Sequence, residues 1–180
     1  MRVQEHVKLS TAAAILALPW LKKDVLIPLA ASILIDADHY LWHAVTRRTL
    51  SLRAALQYYG QANPTRLAQQ RLLHQPIILG ALLVVAARSR SRMLWLILAG
   101  LLFHVSLDTI HVTQMKHMHR MLSEQANFTC PACGQHSEAL QLHTIHVARN
   151  ILDRYNPRHF VVLCPTCHVK AHKKHKHINL

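Results

Sequence analysis

Glycine is scarce in this chain, with four residues in 180, and proline contributes only seven. With no low-complexity tract and no internal repeat, that scarcity excludes a disordered chain and a solenoid. Acidic side chains are scarce too, 8 Asp and Glu against 21 Lys and Arg, for a formal net charge of +13 with all 16 His counted neutral. The imbalance suits phosphate-bearing partners, either nucleic acid or anionic lipid headgroups. A cleaved secretory leader is not expected. Glu5 sits in the basic start, and Pro19-Trp20-Leu21-Lys22-Lys23 stands where a small-residue cleavage site would be. At 20.5 kDa the chain is too short for a barrel enzyme with elaborate insertions and long enough for one domain or two small modules. Two modules are the natural reading, because apolar residues collect before position 113 and all four Cys follow position 127.

Four apolar stretches, roughly 9–21, 25–35, 72–87 and 93–112, are rich in Leu and Ala and lack strand-like alternation, so each predicts a helix. Helices apolar all round are buried in protein or in lipid. Only the last approaches the roughly 20 residues that cross a bilayer core; the others have the length of core helices as well. Arg88, Arg90 and Arg92 form a basic loop between the last two, and Lys22 with Lys23 does the same for the first pair, which puts these loops on one side. Arg47, Arg48, Arg53, Arg66 and Arg71 fall on the other, so the balance of positive charge leaves the orientation open.

Three of the eight acids, Asp36, Asp38 and Asp108, lie in or at the edge of these apolar segments. A carboxylate there neutralises, finds a partner or binds a metal. The companions are imidazoles. Asp36 and His39 are spaced i, i+3, while His39 and His43, and likewise His104 and Asp108, are spaced i, i+4 on one helical side. His74 opens the third apolar segment and His6 precedes the first. Each residue alone reads as packing glue or a helix cap; the set reads as the metal site of a helical bundle. Ser32-Ile-Leu-Ile-Asp-Ala-Asp-His39, Arg71-Leu-Leu-His74 and Gly100-Leu-Leu-Phe-His104-Val-Ser-Leu-Asp108 resemble the bacterial LexA-binding, inner-membrane-associated, metal-dependent hydrolases over about residues 1–115. The resemblance implies a membrane bundle and a hydrolase metal held by Asp36, Asp38, His39, His74, His104 and Asp108, with His6 in the usual early position. Ile35 stands where that family has Pro.

Cys130-Pro-Ala-Cys133-Gly134 and Cys164-Pro-Thr-Cys167 use every Cys in the chain. Two knuckles of this spacing complete one closed tetrahedral site, which is structural zinc chemistry; the competing reading is a pair of disulfides, which a retained, leaderless chain disfavours. A module this small gains its folding energy from the metal. Between and after the knuckles, 140–146 and 158–163 predict two short strands, and Cys167-His168-Val-Lys-Ala-His172 a helix with both His on one face.

This order resembles HNH endonucleases over about residues 128–175, whose ββα fold holds a divalent ion against a scissile phosphate. The resemblance implies that His143, His168 and His172 bind that ion and that His143, His146 and His159 are the catalytic positions. Thr144 replaces the usual adjacent base, with His146 close by to stand in, and His159 replaces the usual Asn, Asn156 lying three residues early. The basic tail, with Lys170, Lys173, Lys174 and Lys176, reads as a phosphate contact or as a solvated end.

The expected molecule is mainly α: an apolar helical membrane bundle over 1–115 with its Asp/His cluster, a linker over 116–127, and a small ββα-metal, HNH-like zinc module over 128–180. Its expected function is metal-dependent hydrolysis of phosphoesters, most directly nucleic acid, with structural Zn2+ and a second ion, Mg2+, Mn2+ or Zn2+. The alternative places the chemistry in the bundle, acting on lipid or small phosphoesters, with the zinc module as a docking unit; a third class is a noncatalytic membrane adaptor that binds DNA. The expected location is the inner (cytoplasmic) membrane with the zinc module on the cytoplasmic side.

Overall fold

A computed structural model of the chain describes residues 3–55, 73–146 and 153–176, with side chains over 4–55, 73–146 and 153–172. Lys173, Lys174 and Lys176, Arg66 and Arg71 of the expected contacts lie outside the described side chains. The elements are α1 Val3–Leu21, α2 Leu26–Leu34, α3 Ala37–Arg47, α4 Pro76–Ser89, α5 Arg92–Gln125, β1 Gln141–Thr144, β2 Phe160–Leu163 and α6 Pro165–Lys176. Contacts divide the chain into two compact units, Met1–Asp108 and Thr109–Leu180, with α5 contributing to both.

Element boundaries follow local chemistry. The first helix starts at Val3 rather than near position 9, so His6 lies inside α1 instead of preceding it. The polar start Val3-Gln-Glu-His6 carries Glu5 in its first turn, where an acid complements the helix dipole. Pro19 lies in the last turn, and Lys22 then takes a left-handed conformation (φ 51°) that breaks α1 from the 3-10 turn Lys22–Val25. The third apolar helix begins at Pro76, in the first helical position, and not at 72. The fourth runs on to Gln125, well past 112, because nothing between Arg92 and Gln125 breaks it until Asn127 and Phe128 turn left-handed (φ 46° and 51°). Alone among the described helices, α5 is long and apolar enough to cross a membrane.

In the first unit, α1 turns back onto α2, and the Ser10 and Ser32 hydroxyls hydrogen-bond at 2.8 Å. α2 lies against α5 with a fixed sequence offset: the Pro28 backbone meets Gly100, and the Ser32 carbonyl meets His104 at 2.7 Å. Glycine is required at that crossing. A Cβ on Gly100 would overlap the Pro28 carbonyl oxygen and come within 2.9 Å of Pro28 Cα, both backbone atoms that cannot rotate away. Gly100→Ala is therefore expected to lower stability by about 2 kcal/mol or more, as overpacking does. Gly80→Ala, which meets nothing within 4 Å, should be neutral or slightly stabilising. Thermal unfolding of the two variants in detergent checks the contrast.

Beside the apolar Val25, Ile35, Ala55, Ala86 and Leu98, the interior of this unit holds a set of polar side chains. His6, Ser10, Ser32, Asp38, His43, His104 and Asp108 are buried, His104 completely. Ile15, Leu16, Leu18, Trp20, Leu26, Leu34, Leu41, Val45, Ile77 and Val84 are all more than half exposed.

In the second unit β1 and β2 pair antiparallel, with His143 opposite Val161 and Thr144 opposite Phe160. The expected linker over 116–127 is helical through Gln125. It belongs to the packed structure because Met118 and Ser123 are buried and Leu122 and Ala126 pack against the module's core of Cys130, Leu140, Val162, Leu163 and Cys164. His119 Nε2 donates to the Leu140 carbonyl at 2.7 Å, which ties the end of α5 to the approach to β1.

Candidate metal centres

The first unit brings all seven residues expected of the bundle together, in three overlapping sets: His6, His104 and Asp108; Asp36, His74 and His104; and Asp38, His39 and His74. Their hydrogen bonds fix which nitrogens carry lone pairs. His104 Nδ1 donates to the Ser32 carbonyl, so its lone pair is on Nε2, 3.4 Å from Asp36 Oδ1 and 3.9 Å from Asp108 Oδ2. That buried Nε2 has no hydrogen bond. A lone pair aimed at two carboxylates is repulsive unless a cation, either a proton or a metal ion, stands between them. His74 repeats the pattern: Nδ1 donates to Asp38 Oδ2 at 3.4 Å, leaving a buried Nε2 without a hydrogen bond 3.8 Å from Asp36 Oδ1. His39 places Nδ1 2.8 Å from Asp38 Oδ1 and Nε2 3.5 Å from Asp36 Oδ1.

Asp36 Oδ1 is thus the hub of three Nε2 atoms. Asp38 lies behind two of those rings and also accepts the Leu73 N–H at 3.1 Å, the arrangement by which an outer carboxylate orients metal-binding imidazoles. His6 Nε2 lies 3.1 Å from Asp108 Oδ1, its ring stacked 4.0 Å from that of His104. Donor types, burial and lone-pair directions all fit a divalent cation. The Ser32 carbonyl and the Leu73 amide join the site as main-chain groups, which no residue type in the sequence announces.

In the second unit the four Cys sulfurs cluster, with Cys133 Sγ 3.7 Å from Cys164 Sγ. A disulfide needs about 2.05 Å, whereas a tetrahedron with arms of about 2.3 Å has edges of about 3.8 Å; no Cys is disulfide-bonded. The first knuckle is shaped by its backbone: Gly134 N–H donates to the Cys130 carbonyl at 2.8 Å, Cys130 N–H to Gln135 at 2.9 Å, and Gly134 takes φ 70°. Burial pushes the Cys130 thiol up, but the N–H groups of Cys164, Ala132 and Cys133 outweigh it and bring it to about 6. Cys167, beside the sulfurs of Cys164 and Cys133, is pushed up to about 12. One thiolate forms readily and four do not coexist without a cation. Four cysteines this close together form a site for a metal such as zinc.

Beside this cluster in sequence, a buried His143 on β1 meets His168 and His172 on α6, with ring centroids 5.2, 4.9 and 4.6 Å apart and rings near perpendicular. His168 and His172 Nε2 atoms are 3.2 Å apart. Burial, aided by the neighbouring His172, pushes the pKa of His168 down, toward the neutral form that ligates metal. These three ligand atoms form one compact set. His146 and His159 are outside it. Their rings pair with each other at 6.1 Å, and His159 Nε2 lies 3.5 Å from Asp153 Oδ1. Thr144 is exposed at the end of β1, and Lys170 is exposed on α6. Asp153 was not anticipated; its partner lies across a stretch with no periodic pattern.

No protein-family model matches the chain, and neither a curated protein nor a solved structure is found to be similar to it.

Proposed function

We propose that this chain is a membrane-associated, metal-dependent hydrolase of phosphoester bonds whose second unit is an HNH-type endonuclease acting on nucleic acid. The observation that carries the reading is the convergence of His143, His168 and His172 in a module with four clustered sulfurs. In it Cys130, Cys133, Cys164 and Cys167 hold a structural zinc, and the three imidazoles hold a second divalent ion, which when bound stabilises charge on a phosphate and its leaving oxygen. The side chains do the remainder. β1 fixes His143, and the i, i+4 spacing on α6 presents His168 and His172 from one face. His146, exposed at the end of the β1 segment, takes the proton that Thr144 cannot accept, with His159 beside it held by Asp153. Lys170 and the basic residues after it contact phosphates. Membrane association rests on the apolar length of α5 and on the exposed apolar surface of a first unit that buries ionisable side chains.

A specific observation favours a second reading, in which the chemistry lies in the first unit and acts on lipid or small phosphoesters. Four imidazoles and three carboxylates meet there, with the lone pairs of His74 and His104 directed by hydrogen bonds. Two substitutions separate the readings. His172→Ala should lower divalent-metal-dependent cleavage of plasmid DNA at least about 10²-fold while Asp108→Asn leaves it intact. The second reading gives the reverse pattern for phospholipid hydrolysis, and cleavage unaffected by His172→Ala would refute the first.

A further inference from the structure

We infer that one end of the first unit is an anchoring surface for anionic lipid headgroups and that it sets the depth of the imidazole–carboxylate cluster in the bilayer; the inference rests on the membrane reading above. Two loops form that end. The turn after α1 carries Lys22 and Lys23, and the loop between α4 and α5 carries Arg88, Arg90 and Arg92. Arg92 Nη2 reaches Asp24 Oδ2 at 3.0 Å, so the loops sit together and five cations face one acid at that end. Lys22, Lys23, Arg88 and Arg90 are exposed.

Tryptophan marks the same end. Trp20, 78% exposed, precedes Lys22 and Lys23 on α1, and Trp95, 45% exposed, follows Arg92 on α5. Two large amphipathic rings left uncovered on separate helices, each beside a basic loop, have the composition of a membrane interface: Trp at the boundary of the hydrocarbon, Lys and Arg among the phosphates above it. Phosphate is the complement of five cations, and anionic headgroups concentrate where such side chains meet the surface.

That placement fixes a distance. His6 is fourteen residues from Trp20 on α1 and Asp108 thirteen from Trp95 on α5, about 20 Å along each axis at 1.5 Å per residue. Against a hydrocarbon core of about 30 Å, the His6–Asp108 pair lies in the opposite leaflet, short of its headgroups.

Fluorescence quenching in vesicles tests this. The full-length Trp42→Phe chain, in which only Trp20 and Trp95 report, is reconstituted into phosphatidylcholine vesicles containing phosphatidylglycerol. Lipids brominated near the headgroup end of the acyl chain should quench at least about twice as strongly as lipids brominated near its tip. At equal mole fraction, brominated phosphatidylglycerol should quench about threefold more efficiently than brominated phosphatidylcholine, and the preference should vanish in K22Q/K23Q/R88Q/R90Q. The readout is local to the two rings, so basic residues elsewhere do not enter it. Stronger quenching by the deep bromines, or no preference for phosphatidylglycerol, overturns the inference alone. A chain that neither floats with vesicles nor is quenched by any lipid overturns the membrane reading together with it.

Discussion

Cys164→Ser should unfold the second unit and leave the helices of the first intact. Among the described residues, the buried core of that unit is small: Leu140, Val162 and Leu163 beside Cys130 and Cys164, with Met118 buried on α5. So small a core offsets little of the entropy of ordering the chain from the end of α5 through α6. A tetrathiolate zinc contributes about 10 to 16 kcal/mol in small zinc modules. Cys164 lies at the junction of β2 and α6, so losing its sulfur releases that junction from the cluster and leaves only backbone contacts there, such as the His168 N–H to the Cys164 carbonyl at 2.9 Å. The expected result is one fewer zinc per purified chain and rapid proteolysis between residues 128 and 176, with the apolar helices still protected in detergent. Chelation of the wild type should reproduce the digestion pattern. A variant that keeps its zinc count and its resistance would show that the sulfurs cluster without a metal.

The chain reveals its ligands better than their organisation. Cys130, Cys133, Cys164 and Cys167 announce themselves because Cys-x-x-Cys imposes a tight turn whatever surrounds it, and here Gly134 supplies the left-handed residue that turn needs. Periodicity marks the strand that carries His143 and the i, i+4 helical face that carries His168 and His172, whereas grouping the three as one metal set came from the resemblance to HNH endonucleases. The bundle residues were legible because an ionisable side chain among Leu and Ala is conspicuous.

What sequence alone left out depends on contacts between distant segments. That Asp38 stands behind His39 and His74 while Asp36 faces their Nε2 atoms follows from where the segment at Leu73 crosses the start of α3. Two acids two residues apart give no hint of which is inner and which outer. The expected linker is helix because α5 meets no breaker before Asn127, and it packs because Met118 and Leu122 recur on one face; the polar residues around them, His117, His119 and Arg120, disguise that stripe. His146 and His159 are near each other because β1 and β2 pair in a register that sets the Ile145 amide against the His159 carbonyl at 2.9 Å, a pairing no local pattern specifies.

The different placements of Asp36 and Asp38 give the most discriminating prediction about the bundle. Asp36→Asn should abolish tight divalent-metal binding by the first unit, because it neutralises the oxygen on which His39, His74 and His104 converge at 3.5, 3.8 and 3.4 Å. With the carboxylate gone, three neutral imidazoles retain geometry but not the charge that compensates a dication's desolvation. Asp38→Asn should weaken binding only about 10- to 100-fold, the cost of losing an outer partner that fixes ring orientation and tautomer. Asn keeps one oxygen to accept from His74 Nδ1 and the Leu73 N–H, so the rings stay close to their native positions. Titration of zinc or manganese into the apo protein in detergent, with Cys130 and Cys164 intact and their zinc already counted, gives the two affinities. Equal losses in both variants would make Asp38 a direct ligand, and no loss in either would mean that protons alone reconcile these imidazoles with their carboxylates.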